Sequence, residues 1–130
     1  MFHSDKMRPG AQRVVIMGCG GFGSAVTVLL SERGHVVHVL DREASAFENL
    51  PRTQIDGGWI VPYVGDGTTE RDLIKVSTPD ADVFMALSGS DTKNALAAQV
   101  AGQVHQVPRV ICRIDNPALC EMYEGLGMTA

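Results

Sequence analysis

No disulfide framework is available to this chain. Its 130 residues carry three cysteines, Cys19, Cys112 and Cys120. The number is odd and no CxxC spacing occurs, which excludes a stapled scaffold and a cysteine-ligated zinc site. The simplest setting is a reducing, cytoplasmic one. Excess positive charge is missing too. Lys and Arg total 11 against 15 Asp and Glu, a formal net charge of −4, so there is no electrostatic reason to bind nucleic acid or an anionic membrane face. No apolar run approaches the roughly 20 residues of a membrane-spanning helix, and direct membrane insertion is not expected. The start, Met1-Phe2-His3-Ser4-Asp5-Lys6, has no apolar core behind a basic lead and is not a signal peptide. The histidines lack ligand spacing. His35 and His38 are three apart on an expected strand, which points them to opposite faces. No metal site is expected.

Apolar residues make up 45% of the chain before its 14 glycines are counted, and charged residues 20%. Such a chain can bury a core, which excludes disorder. The length fits one domain.

Residues 1–12 are polar, contain Pro9-Gly10 and read as a flexible leader, with the domain spanning 13–130. Short apolar runs then alternate with helical patterns. Strands are expected at Arg13–Met17, Val36–Leu40, Ile60–Val64, Val83–Ala86 and Val110–Ile114. Pro62 weakens the third or places it at an edge. The first helix is expected over Gly21–Arg33, ended by Gly34, with Phe22, Ala25, Val26, Leu29 and Leu30 as its buried stripe. A short helix is expected over Ala44–Leu50, stopped by Pro51. A capping box at Thr69-Glu70-Arg71-Asp72 opens a helix through Val76. An alanine-rich helix is expected over Asp91–Gln103, and a last one from Pro117 to near Gly125. Strand–helix alternation with continuously apolar strands predicts an α/β fold, a Rossmann-like doubly wound parallel sheet in order 3-2-1-4-5.

Gly18-Cys19-Gly20-Gly21-Phe22-Gly23 is G-x-G-x-x-G. It follows an expected strand, opens an expected helix, and precedes Asp41 at the next strand end, which is the context of a dinucleotide-binding fingerprint. Gly18 permits the tight turn. Gly20, without a Cβ, lets a phosphate approach the backbone, and Gly23 lets the helix pack against the strand. The free amides and positive end of the helix then hold a diphosphate. Asp41 can accept from both ribose hydroxyls and repel a 2′-phosphate. Arg42 weakens that exclusion, because an arginine there can pair with such a phosphate. The alternative is a plain strand–helix turn.

Gly65-Asp66-Gly67-Thr68 follows the third strand at the ligand-binding edge of such sheets. Asp66 either accepts from the adenine amine or, with Thr68, only caps the helix behind it. Ala86-Leu87-Ser88-Gly89-Ser90-Asp91 faces the same crevice. Ser88 either donates to a phosphate or ribose, or the segment merely supplies an N-cap at Ser90 or Asp91. Arg113, in an otherwise apolar run, needs a partner: an anion in the crevice or a carboxylate.

Together, the glycine turn, Leu40-Asp41, Gly65-Asp66-Gly67-Thr68, Ala81-Asp82, Ser90-Asp91 with Asn94, and Arg113 with Asn116-Pro117 resemble the TrkA-N domain. This family, also called RCK or KTN, forms the nucleotide-sensing lobe of potassium channels and uptake regulators. The resemblance runs from about Arg13 to Gly127. It implies a regulator without catalysis that binds NAD, NADH, ATP, ADP or AMP. It further implies a homodimer or larger ring that acts on a membrane potassium or cation channel or transporter subunit. Gly18, Gly20, Gly23, Asp41, Asp66 and 86–88 would line the nucleotide site, with Arg113 near the far phosphate or nicotinamide end. Gly21 stands where many relatives carry a bulky polar residue or arginine.

The competing reading is the cofactor-binding half of an NAD-dependent oxidoreductase. No His, Lys or Tyr follows the fourth or fifth expected strand as a convincing acid or base. For assembly, the last helix and the alanine-rich helix, with Ala95, Ala97, Ala98 and Ala101, are the expected dimer surface.

Overall fold

A computed structural model describes residue 2 and residues 7–125. Residues 1 and 3–6 of the expected leader, and 126–130 of the expected domain, lie outside the described residues. Five strands, β1 (Arg13–Met17), β2 (Val36–Asp41), β3 (Ile60–Val64), β4 (Val83–Ala86) and β5 (Arg109–Cys112), form one sheet. All neighbours are parallel, in the order β3-β2-β1-β4-β5. This is the expected order. Pro62 lies on β3, which pairs only with β2, and an edge strand tolerates the missing N–H.

The sheet is apolar on both faces because both are covered. Val14, Ile16, Val37 and Val39 pack beneath α1 (Gly21–Glu32) and α2 (Arg52–Asp56). Val15, Met17, Leu40 and Phe84 pack beneath α3 (Glu70–Lys75) and α4 (Asp91–Gln99). On that second face His38, 2% exposed, stands 2.9 Å through Nδ1 from the Val76 carbonyl. The ring of Phe2 stacks on it at 3.8 Å, so part of the segment read as a leader lies against the core. His35 precedes β2, and its Nδ1 accepts from the Gln12 amide at 2.8 Å.

Four local expectations are corrected. The stripe on α1 holds only in part: Val26 and Leu30 pack on the core and Gly23, Thr27 and Ser31 are buried, while Phe22 and Leu29 are 55% and 49% exposed. The tight approach at Gly23 sets the rotation of the helix, since a Cβ there would collide with the Gly18 carbonyl. Thr27 and Ser31 satisfy their hydroxyls on the carbonyls of Gly23 and Val28, each at 2.8 Å. After β2 there is a 3₁₀ turn, Ala44–Phe47, and Pro51 is the N-cap of α2 instead of ending a helix. Proline suits a helix start because its absent N–H would have no helical partner there.

The alanine-rich helix runs to Gln99 and continues as a π-turn over Val100–Val104. Ala95, Ala97, Ala98 and Ala101 are all buried within the chain. They pack on the sheet and leave no small-residue face for a partner. Finally, β5 ends at Cys112, which puts Arg113 beyond the strand. The last helix, α5 (Pro117–Gly125), buries no residue fully.

Candidate functional site

The strand order reverses between β1 and β4, and in such sheets ligands sit outside the carboxyl ends at that point. The turn after β1 is built from its glycines. Gly18 has φ +104° and donates its N–H to the Leu40 carbonyl at 2.7 Å. A Cβ on it would lie 2.7 Å from the Ser88 nitrogen, so this turn presses against the loop after β4. Gly20 and Gly21 are the opposite case, with open space where a Cβ would stand. Gly20 is the N-cap of α1, no side chain caps it, and no acidic residue occupies the first turn. The amides of Gly21, Phe22 and Gly23 begin a helix and have no intrahelical acceptor. They form an anion-favouring concavity with room in front of it.

Asp41 closes the adjacent side. Its Oδ2 accepts from the Cys19 amide at 2.8 Å and its Oδ1 from the Glu43 amide at 2.9 Å. Each oxygen keeps a further lone pair for a ligand hydroxyl. Cys19 is 2% exposed. Burial first, and the Asp41 charge second, push its thiol up to about 11.

In the loop after β3, Asp66 Oδ1 accepts from the Thr68 amide at 2.9 Å and from its hydroxyl at 2.6 Å. These bonds, the hydroxyl first, hold the Asp66 carboxyl below its ordinary range, and Arg42 and Lys93 add smaller attractive contributions. Cap and turn are divided between neighbours. Thr69 caps α3 through the Asp72 amide, and the Asp72 carboxylate returns to the Asp66 amide at 2.8 Å. A Cβ on Gly67 would run into the Met17 sulfur, so a larger residue there would have to displace that side chain.

After β4, Ser90 caps α4 by accepting from the Lys93 amide. The Ser88 hydroxyl donates to Asn94 Oδ1 at 2.6 Å, so its single proton is engaged and its oxygen is left to accept. Asn94 is fully buried. It also accepts from the Ser88 amide and donates to the carbonyls of Ser88 and Arg113.

These loops enclose a crevice of about 380 Å³. Among the sequence-predicted residues, Gly18, Asp41, Arg42, Gly65, Asp66, Gly67, Thr68 and Ser88 line it. Gly20, Gly21, Phe22 and Gly23 stand in the adjoining turn rather than in the lining. Ala86 and Leu87, 0% and 5% exposed, are buried and take no part in the lining. Arg113 also stands outside it, its Nε 3.0 Å from Asp115 Oδ1. Gly89 and Ser90 line the crevice too, on the loop expected to face it, whereas sequence reasoning missed Met17, Leu40, Glu43 and Lys93 as lining residues. Lys93 carried a usable signal, since it lies three residues after the N-cap of the helix that opens at this edge. Among the described residues, no group of three His, Cys, Asp or Glu side chains could hold a metal ion, and no helix is long and apolar enough to cross a membrane.

Comparison with known proteins agrees with this fold. The family model of the TrkA-N domain matches residues 14–130. A "Trk system potassium uptake protein TrkA" of Streptomyces coelicolor is 37% identical over 115 residues, 88% of this chain and 50% of that protein. A homologue of that name from Methanothermobacter thermautotrophicus is 30% identical over 88% of this chain and 51% of its own length. The chain thus spans about half the length of these curated relatives. In fold it is similar to the Kef C-terminal domain of Shewanella denitrificans in its AMP-bound form, with TM-score 0.74 and 21% identity over 88% of this chain and 67% of that one. The NAD(P)-binding domain of an exopolyphosphatase-related protein from Archaeoglobus fulgidus gives TM-score 0.71 at 17% identity, covering 89% and 83%. With its glycine turn, its strand order and this match along nearly the whole chain, the protein belongs to the TrkA-N domain family.

Proposed function

We propose that this domain binds an adenine nucleotide, NAD or NADH or one of ATP, ADP and AMP, and serves as the nucleotide-sensing part of a potassium uptake regulator. One observation carries the reading. An uncapped glycine turn and a carboxylate-lined crevice meet at the switch point of the sheet. The first-turn amides of α1 take the diphosphate. Asp41 takes the ribose hydroxyls, and the free oxygen of Asp66 takes the adenine amine. Asp41 and Glu43, both lining the crevice, disfavour a 2′-phosphate by like-charge repulsion, and Arg42 between them in the same lining offsets part of that repulsion.

The regulatory part of the reading is supported by the potassium uptake relatives. The domain acts in the cytoplasm as a homodimer or ring and contacts a membrane potassium or cation transporter subunit. It performs no chemistry on its nucleotide. Occupancy biases how two such domains pack, by the difference in affinity between the two arrangements. The test is a thermal-shift panel of NAD, NADH, AMP, ADP, ATP and NADP. A rise in melting temperature for adenine nucleotides with none for NADP supports the site. No rise with any of them removes it. Hydride transfer from any alcohol or hydroxy acid to NAD would instead support an oxidoreductase half.

A further inference from the structure

A second cavity opens at the amino ends of β1, β2 and β3, away from the carboxyl ends that carry the crevice. It measures about 710 Å³, within the roughly 300–1,000 Å³ of small-molecule sites. Three segments wall it: residues 8–11 ahead of β1, the end of α1 with the turn into β2, and Gln54 on α2 with Trp59 ahead of β3. Hydrogen bonds between segments distant in sequence hold these walls together. The Gln12 amide donates to His35 Nδ1 at 2.8 Å, and the Gln12 carbonyl accepts from the Val36 amide at 3.3 Å. Gln54 Nε2 donates to Ser31 Oγ at 3.0 Å. The Trp59 amide donates to the Gln54 carbonyl, its carbonyl accepts from the Val37 amide, and its side chain packs against the core. The polar segment before β1 is thus one wall of a built cavity.

Its charge is unbalanced. Arg8 and Arg33 line it against one carboxylate, Glu32, and none of the three forms an ion pair among the described residues. The end of α1 does not call for a cation, because the carbonyls of Leu29, Leu30 and Ser31 accept from the amides of Arg33, Gly34 and His35. With Nδ1 accepting, the neutral His35 ring carries its proton on Nε2 and adds a donor to the lining. Guanidinium forks take carboxylate or phosphate oxygens two at a time. We propose that this cavity binds a small organic anion with at least two oxyanion groups, held by Arg8 and Arg33 and laid against the Trp59 ring. Glu32 sets the charge required. A monoanion gains one fork and meets one repulsion, whereas a dianion gains two. The site is separate from the nucleotide crevice and does not depend on it.

Trp59 is the one tryptophan of the chain, so its fluorescence reports on this cavity. The test is a fluorescence titration with citrate and, separately, with pyrophosphate, at one fixed ionic strength and with acetate as the monoanion control. A saturable change with citrate or pyrophosphate, absent with acetate, supports the site, and which of the two acts assigns the ligand to polycarboxylates or to phosphates. Arg8→Gln and Arg33→Gln, both at exposed positions, each raise the dissociation constant about tenfold, and Glu32→Gln lowers it. Gly20→Val, which fills the glycine turn, leaves it unchanged. No saturable change with either anion overturns the proposal. So does an equal response to acetate, a response that survives both arginine substitutions, or one that Gly20→Val removes.

Discussion

The carboxylate of Asp41 accepts the Cys19 amide at 2.8 Å, which makes the end of β2 and the turn after β1 a single unit. The acid expected to grip a sugar also shapes the loop expected to hold a phosphate. The two parts of the site are therefore coupled before any ligand arrives. A substitution at Asp41 acts on both, whereas one at Gly20 acts on the phosphate alone.

Gly20→Val keeps the fold and removes binding. Gly20 has φ −74° and nothing stands within 4 Å of a Cβ there, so the melting temperature stays within roughly 3 °C. The new side chain fills the phosphate position. Gly23→Ala is the contrast: its Cβ would collide with the Gly18 carbonyl, and the cost is roughly 3 kcal/mol. Calorimetric titration and urea denaturation of both variants separate the two roles, and undiminished affinity in Gly20→Val would put the phosphate elsewhere.

Asp41→Ala weakens AMP, ADP and NAD by a similar factor, because all three share the adenosine ribose. Losing a charge-assisted hydrogen bond is worth about 2 kcal/mol, roughly thirtyfold in Kd. Equal dissociation constants before and after the change would place the ribose away from β2.

Stability drops on the acid side through Asp82. Arg13 meets it through Nε at 3.1 Å and Nη2 at 2.9 Å, and the Arg13 amide adds a bond at 2.8 Å. The Arg13 side-chain bond, before other causes, holds the Asp82 carboxyl below its usual range. An acid whose pKa is lower folded than unfolded stabilises above its ordinary value near pH 4, and that stabilisation is lost as the pH falls through the folded value. Asp82→Asn costs about 1 kcal/mol at pH 7, an estimate already reduced for partial exposure, and flattens this acid limb. Denaturation midpoints at pH 7 and near pH 3 measure both.

Asn94→Ala costs roughly 3 kcal/mol. Asn94 is fully buried, and the change orphans the Ser88 amide and the carbonyls of Ser88 and Arg113, each of which carries a desolvation penalty. Chemical denaturation reads this directly, and a loss under 1 kcal/mol would mean that water replaces the amide.

Cys19 and Cys112 resist alkylation in the native state. Burial is the largest cause that pushes each thiol up to about 11, so at pH 8 roughly one in a thousand is ionised. Peptide mapping after iodoacetamide should find both unmodified when folded and labelled in urea. Rapid native labelling of Cys19 would show that the glycine turn opens.

The amino-acid sequence alone determined the architecture, because its signals are local and periodic. Five apolar runs separated by helix-length patterns permit little besides a parallel sheet covered on both faces. Gly18, Gly20, Gly23 and Asp41 announce the turn and the acid by their spacing. The same is true of Thr69 and Ser90, whose caps were readable from their place before a helix. What only the tertiary structure decided are the choices between competing partners. The rotation of α1 was misread because contact between Gly23 and the Gly18 carbonyl outweighs the burial of Phe22 and Leu29. Arg113 reads first as a partner for an anion in the crevice, with a carboxylate as the alternative, and in the fold, with β5 ending at Cys112, it pairs with Asp115. The Ser88 proton went to Asn94, and the alanines of α4 went to the sheet. Periodicity fixes where elements begin and which way strands run, but a hydrogen bond or a packed face is settled by competition among groups that meet only after folding.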